Sequence, residues 1–388
     1  MSSKIPIACA LASRASSSNV ARLPAVLFAA ALLASAQQNP EVLLRQDFET
    51  GAPGWFALGA AGGSVRVTHE PGQTHSGNSA LAFTYEVKRG QSSVAVMPAP
   101  SSLARMQHMR FWVKTDRDTS VAVLLSETQP GGGNYTAWFW SPANAWQPID
   151  LTPGDFVLSD GPQDPKDADG KLDLDQLQAV GVLDLASFFP APPSPSGQAG
   201  PRTMWIDDFE ALSGPAPAED SAMRIDNFDR GFLPWITIGV MDLKLAEAGN
   251  PLGNQADNPL REPALEASYE QRDNPLPVLL RRIGNYNLAK AARLDFDVAS
   301  DEETTLVIAL EVKRPGVAQG PRFTLPIFPP GKREVFHVSV KLEDFQGQGK
   351  LDPAQLKTLI VTDPAAAGDG VGTHNRIWIG KVAFRPAM

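Results

Sequence analysis

The side chains able to do chemistry are scattered along the chain. Its five histidines, His69, His75, His108, His337 and His374, form no HExxH or other close-spaced ligand pair, and His69 with His75 reads as a turn pair. No GxSxG elbow, phosphate-binding loop or dinucleotide fingerprint occurs. Carboxylates are numerous, and glycoside hydrolysis needs only two of them about 5–10 Å apart, a spacing that sequence does not define. Within the acidic stretch Asp160 to Asp175, Asp167-Ala168-Asp169-Gly170 copies the middle of an EF-hand loop, but Pro165 holds the first ligand position and Gln176 the last. A solvated turn is expected there. The densest run is aromatic, Tyr135-Thr136-Ala137-Trp138-Phe139-Trp140. In a strand, Trp138 and Trp140 share one face and Phe139 takes the other. If Phe139 packs inward, the two indoles form an exposed platform; if the Trp pair packs inward, nothing is left to stack on. The glycine-rich GGGN before the run and the lack of tryptophan at the aligned Leu325 to Phe328 favour the exposed arrangement.

Composition limits what these residues can serve. A chain of 388 residues is long enough for two to three domains. With 43% hydrophobic and 20% charged residues it can build real cores. A net charge of -9 argues against the basic surface that nucleic acids and anionic lipids require. The 34 prolines and 32 glycines leave little room for long helices, so the composition leans all-β.

Residues 1–36 are expected to be a secretory signal. The apolar run Leu23 to Leu33 follows Lys4, Arg14 and Arg22 and ends in the small-x-small pattern Ala34-Ser35-Ala36. It is too short to span a bilayer. The single cysteine, Cys9, lies within it, so the mature chain has no thiol for a disulfide, a nucleophile or a metal. Removing the leader leaves 31 cations against 43 anions and a net charge of -12. The expected product is acidic, secreted or periplasmic, and free of the membrane.

Two stretches then carry the same landmarks in the same order. Asp47-Phe48-Glu49 with Trp55 opens one, and Asn227-Phe228-Asp229 with Trp235 opens the other. Ser79 to Tyr85 matches Pro263 to Tyr269, and Leu172 to Asp184 matches Leu351 to Asp363 at an offset of 179. Each half ends on a strand, Arg202 to Leu212 and Asn375 to Phe384. One unit has been duplicated, giving modules over 41–212 and 221–388 joined by the Pro-rich linker 213–220. Period-2 alternation between turn clusters, with no sustained 3.6-residue period, predicts antiparallel β-sandwiches. The LDLDQLQ and LDPAQLK pieces suit one helical turn each. Trp55, Trp112, Trp146, Trp205, Trp235 and Trp378 fall at repeat landmarks or strand positions, and most are expected in the cores.

The opening Asp47-Phe48-Glu49, the step His75 to Leu81 and the closing Trp205-Ile206-Asp207-Asp208-Phe209-Glu210 resemble the galactose-binding-like jelly rolls of secreted bacterial carbohydrate-binding modules. The resemblance is to family 11 modules and the related CIA30-type domains. The likeness covers most of the first module and, more faintly, the second. It implies an all-β fold of two tandem jelly rolls. It also implies a structural calcium ion between the first and last strands, held here by Asp47, Glu49, Asp207 and Asp208. In the second module Gly380 and Lys381 replace the closing pair, so that copy is expected to have lost the ion although Asp226 and Asp229 remain. Sugar recognition in such modules rests on aromatic stacking, which assigns Tyr135, Trp138 and Trp140 to a polysaccharide or oligosaccharide.

Together these readings describe an exported, non-catalytic carbohydrate-binding protein whose second module is structural or divergent. The alternative is a cell-envelope protein whose paired sandwiches dock other proteins. A glycan hydrolase or lyase is the third class.

Overall fold

The computed structural model describes residues 40–60, 62–159, 164–188, 199–214, 224–228, 234–238, 241–246, 258–270, 276–283, 286–313, 320–364 and 374–387. The leader with Cys9, most of the Pro190 to Pro201 loop, linker residues 215–220 and Asp229 lie outside them. Twelve strands come first: β1 (Val42–Gln46), β2 (Phe56–Leu58), β3 (Gly63–Thr68), β4 (Ala80–Val87), β5 (Val94–Pro98), β6 (His108–Thr115), β7 (Thr119–Glu127), β8 (Asn134–Ser141), β9 (Gln147–Leu151), β10 (Val157–Leu158), β11 (Leu177–Asp184) and β12 (Gly200–Leu212). Twelve more follow: β13 (Arg224–Asp226), β14 (Trp235–Ile238), β15 (Met241–Ala246), β16 (Ala264–Glu270), β17 (Val278–Arg282), β18 (Ala291–Ser300), β19 (Leu306–Val312), β20 (Arg322–Ile327), β21 (Phe336–Lys341), β22 (Gln346–Gly347), β23 (Leu356–Thr362) and β24 (His374–Pro386).

They form four antiparallel sheets. The first sandwich pairs a sheet of order β3-β4-β12-β6-β9, with β1 on β12, against one of order β10-β8-β7-β11-β5-β2. The second repeats the plan strand for strand. Its sheets run β15-β16-β24-β18-β21, with β13 on β24, and β14-β17-β23-β19-β20-β22. The fold is all-β, two tandem sandwiches. Leu174–Gln176 and Pro353–Gln355, in the matching LDLDQLQ and LDPAQLK pieces, each make the single helical turn their sequences suggest, as 3₁₀ turns.

Alternation decides which residues enter each core. On β6, Met109, Phe111 and Val113 point inward while Arg110, Trp112 and Lys114 point out. Tyr135, Ala137 and Phe139 of β8 join the same core, with Phe83, Phe209 and Val180 from the neighbouring strands. Burying such side chains stabilises the fold by about 1.5–3 kcal/mol each.

Each sandwich also clamps its two sheets with a buried tyrosine. The Tyr85 hydroxyl on β4 donates to Asp184 Oδ2 at the end of β11 (2.8 Å), and Thr119 Oγ1 donates to Asp184 Oδ1 (2.6 Å). In the second copy Tyr269 donates to Asp363 (2.7 Å), as does Thr304 (2.8 Å). Burial first, and then the Asp184 charge, holds the Tyr85 phenol well above its ordinary value. The remaining charge of Asp184 is met by Arg202 at 3.0 Å, both side chains being fully buried. Asn375 stands at the matching position of β24.

Candidate functional site

The aromatic run of β8 is placed differently from the expectation. Phe139 does pack inward, so Trp138 and Trp140 do share the outer face, but that face is covered by the second sandwich. Trp140 is 3% exposed and belongs to the second sandwich's core cluster. The Arg282 guanidinium at the end of β17 lies 4.4 Å from the Trp138 ring centroid. Arg282 also donates to Thr136 Oγ1 (2.5 Å), to the Thr136 carbonyl (3.3 Å) and to the Leu158 carbonyl (3.4 Å). A cation over an indole, two hydrogen bonds to β8 and one to β10 make this an interdomain seam. Tyr135 is fully buried in the first core, with its hydroxyl donating to Asp167. Tyr135 and Trp140 are buried, and Trp138 is partly buried with Arg282 over its ring.

The proposed calcium ligands come together around one turn, and they do not fit a calcium cage. Asp207 is fully buried, and its Oδ2 accepts from the backbone N–H groups of His75 (2.8 Å) and Ser76 (3.1 Å). Glu49 Oε1 accepts from the N–H groups of Asn78 (2.7 Å) and Ser79 (3.0 Å). Asp208 takes the Ser76 hydroxyl (2.9 Å) and lies 3.1 Å from His75 Nδ1, while Asp47 Oδ1 caps the N–H of Glu49. Acids from the opening and closing strands therefore grip the His75 to Ser79 turn, and N–H dipoles supply the positive ends a cation would supply. Gly77 allows the close approach: a Cβ there would meet Glu49 Oε1 at 2.2 Å. Among the described residues no three His, Cys, Asp or Glu side chains form a metal-holding group. Burial pushes the Asp207 carboxyl above its ordinary range, against the pull of its N–H donors. In the second copy Asp226 accepts from the indole N–H of Trp235 (2.9 Å) and the Phe228 N–H (2.9 Å). Lys381 there pairs with Glu262, keeping the same left-handed backbone at φ 49° that Asp208 has at φ 48°.

What the gripped turn does is lay a histidine on the outer face of the β3-β4-β12-β6-β9 sheet. The His75 ring stacks on Trp112 with centroids 3.6 Å apart and planes 14° apart, and Trp146 meets His75 edge-on at 5.8 Å. Trp112 and Trp146 are half-buried here, whereas Trp55, Trp205, Trp235 and Trp378, the other four tryptophans at repeat landmarks, are buried. Register places Trp205 beside Lys114 and Ala82 on this face, and the Lys114 ammonium lies 5.7 Å from the Trp205 ring. Lys114 also donates to the Gly72 carbonyl (2.8 Å), and the Trp205 indole donates to Gln73 Oε1 (3.1 Å), so residues 72–75 drape over one side of the face. Beyond Trp112, Arg110 pairs with Asp150 (3.1 Å) and His108 approaches the same carboxylate (3.1 Å). The result is an aromatic patch of three rings bordered by hydrogen-bonding side chains.

Trp112 was within reach of the sequence. In His108-Met109-Arg110-Phe111-Trp112-Val113-Lys114 the apolar side belongs to Met109, Phe111 and Val113, which leaves Trp112 among cations on the other side. His75 was not, because its stacking follows from long-range bonds between the turn and β12.

No family model matches the chain, and no curated protein matches it. Solved structures similar to it include a family 11 carbohydrate-binding module from Clostridium thermocellum in complex with a β-1,3-1,4-mixed-linked tetrasaccharide. That likeness has 16% identity and a TM-score of 0.35, over 46% of this chain and 98% of that one. The N-terminal tandem of family 22 carbohydrate-binding modules from Paenibacillus barcinonensis is similar over 91% of this chain and 99% of that one, at 12% identity and a TM-score of 0.32. Among the described residues no helix is long and apolar enough to cross a membrane.

Proposed function

We propose that the chain is an exported, non-catalytic glycan-binding protein whose site is the outer face of the β3-β4-β12-β6-β9 sheet. The observation that carries this reading is the half-exposed stack of His75, Trp112 and Trp146 with Lys114, Arg110 and Asp150 at its border. A pyranose presents an apolar C–H face that suits indole rings and a rim of hydroxyls that suits charged and amide side chains. Trp138 and Trp140 then act in joining the modules, and the second sandwich serves as a structural partner.

The test is mobility of the chain in native gels containing a panel of plant and microbial polysaccharides. Retardation on at least one glycan is expected, and Trp112→Ala or Trp146→Ala should weaken it by about thirtyfold, the equivalent of about 2 kcal/mol of lost ring burial. Normal mobility on every glycan, or retardation that survives the Trp112→Ala, Trp146→Ala double variant, would overturn the reading. The first of these outcomes would favour a protein-docking role in the cell envelope.

A further inference from the structure

The second sandwich has an opening that the first has filled. At the end of β18 and β21 lies a cavity of about 760 Å³, within the range of small-molecule sites. Leu342, Phe345 and Leu351 form its apolar floor. Arg293, Lys341 and Lys350 line it together with one carboxylate, Glu343. That excess of cations stands out in a chain of net charge -9. Glu343 is engaged by Lys341 at 3.0 Å, and Arg293 has Asp295 at 3.9 Å. Lys350 has no hydrogen bond or ion pair with a described residue.

The repeat shows how the cavity arises. In each copy the same backbone bond precedes the outer-sheet strand: the Met106 N–H donates to the Leu103 carbonyl (2.9 Å), and the Ala291 N–H donates to the Leu288 carbonyl (2.8 Å). Met106 is buried at 1% exposure and fills the first copy's core at this place. Ala291 is the small residue at the matching position, and it lines the cavity. Losing a methionine side chain from a packed sandwich leaves space that the neighbours do not close.

We propose that this cavity binds a small organic carboxylate with an apolar body. The apolar part lies on Phe345 and Leu351, and the carboxylate meets Lys350, with Arg293 and Lys341 adding to the positive field. The site lies on a different copy from the aromatic patch and does not depend on the glycan reading.

Saturation-transfer NMR and calorimetry with 2-naphthoate and its neutral isostere 2-naphthamide, on the whole chain, test this. The naphthoate is expected to bind, and the amide to bind about threefold more weakly, as one partly exposed charge contact would give. Lys350→Gln should bring the naphthoate down to the amide's affinity. Ala291→Met, which installs the first copy's side chain, should weaken both at least tenfold while the melting temperature is kept or raised. No transfer to either compound, equal binding of the two, or binding untouched by Ala291→Met and Lys350→Gln would overturn the proposal. Should Ala291→Met disturb folding, Lys350→Gln decides alone, because its side chain is exposed and supports no core.

Discussion

Trp205 and Trp378 stand at the same place in two copies of one sandwich, and their surroundings have gone separate ways. Trp205 has Ala82 and Lys114 as register neighbours and sits beside a half-exposed aromatic patch. Trp378 has Ala299 and Glu266 as neighbours and is fully buried. Its indole N–H donates to Glu266 (3.0 Å), and the guanidinium groups of Arg376 and Arg333 lie 5.0 and 5.5 Å from its ring. Arg376 and Arg333 both pair with Asp301, at 2.6 and 2.7 Å. Where the first copy has Trp112 opposite Asp207, the second has Asp297 opposite Gly380. One outer face keeps stacking rings within reach of solvent, and its duplicate is sealed by an ion network. A duplicated scaffold can thus hold its core constant while a few outward positions leave one face open and seal the other.

The second sheets diverge in the same way. Register aligns Trp140 with Phe328, since Thr136 and Thr324 pair with the matching short edge strands. Trp140 is 3% exposed beneath the second sandwich, whereas Phe328 is 64% exposed. Trp140→Ala should therefore destabilise the protein by about 3–5 kcal/mol, and Phe328→Ala by no more than about 0.5 kcal/mol. Denaturant unfolding followed by tryptophan fluorescence measures both. Equal effects would mean that the seam is not formed in solution. With the seam intact, glycan retention should be indifferent to Phe328→Ala.

The sealed face offers the next largest effect. Glu266 is buried at 2% exposure and ties the Trp378 indole to Lys244 at 2.9 Å, with Arg376 at 3.9 Å. Its removal leaves the buried Trp378 N–H without its acceptor, while Arg376 keeps Asp301. Glu266→Ala should cost about 2–3 kcal/mol, below the full penalty for a broken buried pair because Lys244 can turn to water. A loss under about 1 kcal/mol, measured by calorimetry, would show that the network does not stabilise the face. Retention on any glycan that retards the native chain should be unchanged.

The duplication was legible because its landmarks are the residues that structure each copy. Tyr85 with Asp184 and Tyr269 with Asp363 close the repeated segments and prove to be the hydrogen-bonded clamps between sheets. Strand alternation likewise set Phe139 opposite Trp138 and Trp140, and it is Phe139 that enters the core. The outer faces were less legible, since alternation says which side a residue takes and nothing about what lies above it. Trp138 and Trp140 were correctly placed on one side, but Arg282, 144 residues beyond Trp138, decides that this side is covered. The resemblance names Glu49 and Asp207 together, and the backbone N–H groups that occupy them carry no sequence signal.

The smallest effect to test is on pH dependence, where the two faces should show opposite signs. Burial alone would raise the Asp301 carboxyl, but hydrogen bonds and charge from Arg376 and Arg333 hold it below its ordinary value of 3.8. Stability from Asp301 is then fully present above pH 3.8 and is lost as pH falls through the depressed folded value. Asp207 is raised instead, mainly by burial, so its contribution is present at low pH and is lost as pH rises through the raised value. Unfolding midpoints between about pH 2 and 6 for the native chain, Asp301→Asn and Asp207→Asn read both. The stability advantage of the native chain over Asp301→Asn should grow as pH rises, and its advantage over Asp207→Asn should shrink. Slopes of the same sign would mean that the turn around His75 shields Asp207 no more than the arginines leave Asp301 exposed, and the contrast between an N–H-held and a cation-held acid would fail.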